Sequence, residues 1–282
     1  TMTVRLHSWR SLLCFAILST LGAMATHGAS AQGAPAATPP PASAPPAASP
    51  AAADAQAVKL AGEVWQALGG DAAWNQARFL RFSFDVEKEG KTLASYRHAW
   101  DRFTGRYRVE GTNKEGKPFV ILFNVNDRTG KAWVDGKPAD AEKTKQMLEY
   151  GYGRFINDTY WFLMPYKMRD PGVHLSYEGE KTDDSGKKWQ VLLLGFDKGV
   201  GLTSGDHYHA YIDPASHLMG RWDYELEGED HDKGSWSWTD WKKIGPLMLC
   251  PDKKEIGGAT MIRTPFQVVS DTVDESAFQE PK

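Results

Sequence analysis

The sequence predicts a mainly β domain with a smaller helical part, built on one large curved antiparallel sheet. Apolar and polar residues alternate with period two over much of the chain. Turn residues recur about every eight to twelve positions, and helical periodicity is confined to two segments. No repeat of fixed period is present, which disfavours a propeller or a solenoid. A sheet of about a dozen strands curls, splits or closes, because its edges and its apolar face both need cover.

In chain order, residues 1–31 read as a secretory signal. Arg5 and Arg10 precede a short apolar run from Leu12 to Met24, and Ala29-Ser30-Ala31 is a small-residue cleavage site. The mature chain is expected to begin near Gln32, in a bacterial periplasm. The apolar run is shorter than the roughly twenty residues of a membrane span. After cleavage Cys250 is the one cysteine left of two, which excludes an internal disulfide. Residues 32–55 are almost entirely Ala, Pro and Ser and read as a disordered linker. Residues 56–282 form the single folded domain.

The first helix is expected over Ala57 to Leu68, with Val58, Ala61, Val64, Trp65 and Leu68 on one stripe and Gly69-Gly70 as its stop. Leu80, Phe82, Phe84 and Val86 then share one face of a strand, and Trp222, Tyr224 and Leu226 alternate in the same way. Further strands are expected near residues 94–103, 105–112, 117–125, 131–135, 173–181, 187–195, 206–213, 231–242, 246–250, 255–263 and 266–271. Glu89-Gly90, Glu115-Gly116, Asp135-Gly136, Ser185-Gly186 and Asp213-Pro214 supply turn chemistry between them. A second helix starts near Ala139, is broken or hinged at Gly151-Tyr152-Gly153, and resumes after Asn157-Asp158 towards Leu163.

The segment from Asn157 to Gly172, NDTYWFLMPYKMRDPG, resembles a signature of uncharacterised secreted proteins related to the bacterial outer-membrane lipoprotein carriers of the Lol type. The order of parts is similar too: signal, amphipathic helix, strands, helical insertion, more strands. The early strands around Ala99 to Phe103, Phe119 to Phe123 and Lys131 to Val134 add a likeness of pattern. This resemblance implies a half-open β-barrel with helices covering its mouth and an apolar cavity for acyl chains. It also implies that Arg102 helps to hold the helical lid.

On that reading Trp100, Arg102, Phe123, Trp133, Tyr152, Phe155, Trp161, Trp222 and Tyr224 are the candidate ligand-binding residues, and Gly151 and Gly153 the hinge of the flap. The chain has eleven Trp, ten Tyr and twelve Phe, a supply of rigid apolar surface that suits either a cavity wall or a filled core. His207 and His209, two apart on one strand face, are weak candidates for a metal. Further ligands could come from Asp213, His217 or the acidic turn Glu229 to Asp232. Trp236, Trp238 and Trp241 could stack on sugars or pack in the core. The formal charge of −3 and the lack of a basic aromatic patch argue against nucleic acid. No Gly-x-Ser-x-Gly elbow or phosphate-cradling loop is present.

The expected protein is a monomeric, non-catalytic periplasmic carrier without a cofactor. Its partner is a hydrophobic or amphipathic ligand, a lipid or a lipoprotein acyl chain. A metal-dependent hydrolase and an envelope interaction or stress-sensing module are the alternatives.

Overall fold

A computed structural model describes residues 55–227 and 232–281. The expected signal, all but the last residue of the expected linker, and Glu229, Asp230 and His231 of the acidic turn lie outside the described residues. The chain opens with α1 (Ala55–Ala67) and the short α2 (Gly70–Gln76). A meander follows of β1 (Phe79–Lys88), β2 (Lys91–Asp101), β3 (Arg106–Thr112), β4 (Pro118–Asn124), β5 (Gly130–Val134) and β6 (Lys137–Pro138). Then come α3 (Ala141–Leu163) and a 3-10 helix (Met164–Arg169). A second meander comprises β7 (Val173–Thr182), β8 (Lys188–Phe196), β9 (His207–Ile212), β10 (Met219–Glu225) and β11 (Lys233–Trp238). The hairpin β12 (Lys242–Ile244) and β13 (Leu247–Leu249) precedes β14 (Asp252–Glu255), β15 (Thr260–Arg263), β16 (Gln267–Ser270) and a last 3-10 turn, Glu275–Phe278.

The sheet is antiparallel, half-open and fourteen-stranded, in the order β6-β5-β4-β3-β2-β1-β15-β14-β11-β10-β9-β8-β7, with β16 on the other half of the β1 edge. The pair β14 and β15 joins the two meanders. The free edges, β6 and β7, are the strands that flank α3 in sequence. The chain therefore leaves one edge, crosses the trough as α3 and the 3-10 helix, and re-enters at the other edge.

Period two separates the faces as expected. Leu80, Phe82 and Phe84 are buried on the inner face, opposite Trp100, His98 and Tyr96 of β2. On the outer face Phe79 and Ala99 are covered by Ala277 of the C-terminal turn. Arg106 holds that turn through Glu275, at 2.6 and 2.8 Å.

Three details differ from expectation. In α1 the buried stripe carries Leu60, while Val58 is half exposed. The expected strands at 231–242 and 255–263 are each divided, the second because the turn after Glu255 folds β14 and β15 into a hairpin. Most consequentially, α3 is not broken at Gly151 and Gly153 but runs unbroken for 23 residues. Its start is fixed by Asp140, whose side chain accepts from the Lys143 N–H at 2.8 Å. Gly151 is explained by packing: a Cβ there would lie 3.2 Å from Ile121 and 3.3 Å from Phe123. No helix among the described residues is long and apolar enough to cross a membrane.

Candidate functional site: the inner face and its buried latch

Beneath its N-terminal half, α3 meets an apolar cluster of Tyr107, Val109, Phe119, Ile121, Phe123, Ala132 and Met147. Trp100, Tyr152 and Phe155, all expected ligand-binding residues, pack around it. The Phe155 ring lies edge-on to Trp100 at 5.1 Å and to Tyr107 at 4.9 Å. Further along, Trp161 meets Trp222 at 4.6 Å and Trp236 at 4.9 Å, both edge-on. Tyr224 completes this second group, 5.5 Å from Trp222.

The structure thus gathers seven of the nine expected ligand-binding residues between α3 and the inner face, Trp100, Phe123, Trp222 and Tyr224 from the sheet and Tyr152, Phe155 and Trp161 from α3 itself. Two lie elsewhere. Trp133 sits between Ala132 and Val134 and so takes the other side of β5, where its strand partner is Pro138 of β6. Arg102 donates to the Trp74 carbonyl at 2.9 Å and the Ala77 carbonyl at 3.0 Å, with its guanidinium 3.8 Å over the Trp74 ring. It closes the C-terminus of α2 rather than holding α3.

Where an apolar cavity is expected, α3 presses its own side chains onto the sheet. The hollows described lie outside the trough. A groove of about 610 Å³ runs between α1 and Ala215 to His217, and one of about 210 Å³ lies on the outer face beside Arg81, Arg108 and the C-terminal turn.

Within this apolar packing sits a charged group that sequence reasoning missed. Arg154 and Asp158, one turn apart on α3, are both buried. Arg154 Nε donates to Asp158 Oδ2 at 2.9 Å, and its Nη2 donates to Oδ1. Asn157 Nδ2 adds a donor to Oδ1 at 2.8 Å. The guanidinium also lies 4.2 Å over the Tyr96 ring of β2. From the sheet, His98 Nε2 reaches within 3.1 Å of Asp158 Oδ2, too obliquely for a straight hydrogen bond. Tyr107 OH meets His98 Nδ1 at 2.8 Å. A second tie joins Tyr150 OH to Tyr96 OH at 3.0 Å.

Burial dominates the electrostatics. It pushes the His98 pKa down, against the pull of Asp158, so the ring is neutral at pH 7. Burial works against ionising Asp158, yet Arg154 and His98 outweigh it and hold the carboxyl below its usual range. Arg154 is kept charged by Asp158 against its own burial. The group is a neutral His facing one closed ion pair, the form in which buried charge is tolerated.

Tyr208, Ala210 and Ile212 face inward, so His207 and His209 point out, and His209 Nδ1 lies 2.9 Å from the Glu178 carboxylate. Among the described residues no three His, Cys, Asp or Glu side chains gather as a metal would need. Asp213 accepts from the N–H groups of its own turn and pairs with Lys187 at 2.8 Å. Trp236 and Trp238 are fully buried and belong to the core.

Solved structures that match the chain include a LolA superfamily protein from Nitrosomonas europaea, at 8% identity and TM-score 0.45, covering 79% of this chain and 97% of that one. A domain described as that of an outer-membrane lipoprotein-sorting protein from Vibrio parahaemolyticus matches at 9% identity and TM-score 0.43, covering 79% and 96%. An uncharacterised conserved protein from Thermus thermophilus matches at 11% identity and TM-score 0.29, covering 80% and 95%. No curated protein sequence matches the chain. The model of a family of unknown function, DUF6503, matches residues 95–236, from β2 to Trp236 of β11, and so includes both groups under α3 and the whole latch. With half of its 282 residues in that match, the chain belongs to the DUF6503 family.

Proposed function

We propose that this protein is a non-catalytic, extracytoplasmic carrier that takes the apolar part of an amphipathic molecule, a lipid or a lipoprotein acyl chain, onto the inner face of its sheet in place of α3. The observation that carries this reading is how α3 is held. It lies in the trough on aromatic and aliphatic contacts, is strung between the two free edges of the sheet, and is fastened inside by the Arg154, Asp158 and His98 group. Apolar contacts can be exchanged for an acyl chain, because burial is non-directional and scales with area. The charged fastening cannot be exchanged in that way, so it sets how often the trough opens. The secretory signal expected in residues 1–31 supports the compartment.

Titration with cis-parinaric acid and with its methyl ester, which brighten on apolar burial, tests the reading in the natural protein and in Asp158→Asn. The substitution leaves Arg154 buried without its counter-ion, a loss of about 3–5 kcal/mol in comparable buried pairs. Apparent affinity is expected to rise by about tenfold or more, as the open form becomes less rare. Absence of saturable binding of both probes to both folded proteins overturns the carrier reading.

A further inference from the structure

Lys253 of β14 has no exposed surface, and its Nζ has no hydrogen-bond acceptor among the described residues. Its strand partners are Trp238 on one side and Ile262 on the other, both fully buried. Directly paired residues share a face of the sheet, so Lys253 points into the trough. The Trp238 ring centroid lies 4.9 Å from its Nζ. The carboxylates near it in sequence are engaged elsewhere. Asp252 is held by Arg263 at 3.2 Å, and Glu255 folds back onto its own turn to accept from the Thr260 N–H at 3.1 Å.

The surroundings have the same bias. Trp238 and Trp236 lie two apart on β11, and Trp222 is the strand partner of Trp236. The indole N–H groups of all three are buried without an acceptor among the described residues. One cation and three neutral donors therefore line a continuous strip of the inner face, with no acceptor among the described residues to meet them. Buried donors are paired in the great majority of folded proteins, and a buried charge almost always. Burial draws the Lys253 ammonium down to about 8, which leaves it charged at neutral pH.

We propose that this strip is the head-group subsite of the carrier, in which Lys253 receives the carboxylate of a long-chain fatty acid while the aliphatic chain lies along the trough vacated by α3. The inference rests on the carrier reading and deepens it by naming the ligand class. A single cation balances a single negative charge, which selects a carboxylate over a doubly charged phosphate monoester. The tryptophan donors suit either carboxylate oxygen, and the methylene chain suits the apolar groups around Trp161 and Phe155.

Competition against bound cis-parinaric acid by dodecanoate, methyl dodecanoate and dodecyl phosphate at pH 7 tests the assignment in the natural protein and in Lys253→Met, a neutral side chain of similar length. The natural protein should prefer dodecanoate to both other ligands by about tenfold. In Lys253→Met that preference should disappear while the ester binds within twofold of its original strength. The ligand-free variant should also melt higher, since an unpaired buried charge is gone. Equal binding of acid and ester by the natural protein overturns the subsite and leaves the carrier reading standing. Preference for dodecyl phosphate overturns the choice of carboxylate. If no ligand competes and parinaric acid itself does not bind, both readings fall. The comparison of acid with ester needs only the natural protein, so the test holds even if the variant does not fold.

Discussion

His98 is the residue at which the chemistry of the latch becomes measurable. Buried between Tyr107 and Asp158, it is neutral in the folded protein, and its pKa lies below the ordinary value of 6.5. In the unfolded chain it takes up a proton as the pH falls through about 6.5. The unfolded state then binds more protons than the folded one, so stability present above that pH is lost below it. Between pH 7.0 and 5.5 the loss is up to about 1.3 kcal/mol for one such group. Asp158 is also held below its ordinary value, but its contribution is lost only at lower pH, below about 4, which leaves the higher window to His98. Urea unfolding at the two pH values should show that loss in the natural protein and little of it in His98→Asn. An equal loss in both proteins would place the titrating group elsewhere. None of these residues was legible from the pattern. His98 is in phase with Tyr96 and Trp100, so alternation turns it inward but does not say what it meets there, and Lys253 stands in the charged run Asp-Lys-Lys-Glu at 252–255, which has no apolar alternation to mark it as a strand. With the second helix expected to break at Gly151-Tyr152-Gly153 and to resume only after Asn157-Asp158, Arg154 and Asp158 had no common helical face in the pattern. What makes them internal is a helix laid on the strands, and periodicity along one chain segment carries no trace of which other segment covers it.

At the scale of elements most strands were legible to within one to three residues, because one face of each is buried and a slip of one position would turn the whole set outward; the exceptions are 231–242 and 255–263, which each divide, and the two-residue β6. The continuity of α3 was not. Two glycines in three residues weaken an isolated helix by about 1 kcal/mol each relative to alanine, yet the contacts of α3 with the sheet and the Asp140 cap outweigh that cost. The two glycines have different reasons to be there. Alanine at Gly151 would press on Ile121 and Phe123, whereas a Cβ at Gly153 meets nothing within 4 Å. Gly153→Ala should therefore raise stability by about 0.5–1 kcal/mol. Gly151→Ala should gain less or lose stability, as packing strain offsets the same propensity. Thermal melts of the two single variants decide the point. If Gly153→Ala stabilises the fold and also slows uptake of parinaric acid, the glycine serves bending of the cover. Equal stabilisation by both substitutions would show that α3 does not approach the sheet as closely as Gly151 requires.

For the whole molecule, the arrangement predicts two levels of stability. The sheet is one continuous hydrogen-bonded system from β6 to β7. By contrast α3 is joined to it through side chains and through the short connections at Ala139-Asp140 and around Asp170 to Gly172, so it can lift without breaking a strand pairing. Native proteins open in cooperative units whose free energies range from near zero up to that of global unfolding. The amides of α3 should then exchange with deuterium through an opening cheaper than that of β1 to β4, and Asp158→Asn should speed α3 exchange while leaving those strands protected. Dodecanoate, if it takes the trough, should act in the same direction, exposing α3 while protecting β10, β11 and β14. Hydrogen exchange read by mass spectrometry resolves these segments. If α3 and the central strands exchange as one unit, and neither the substitution nor the fatty acid separates them, the helix is an integral part of the core and the trough is not a binding surface.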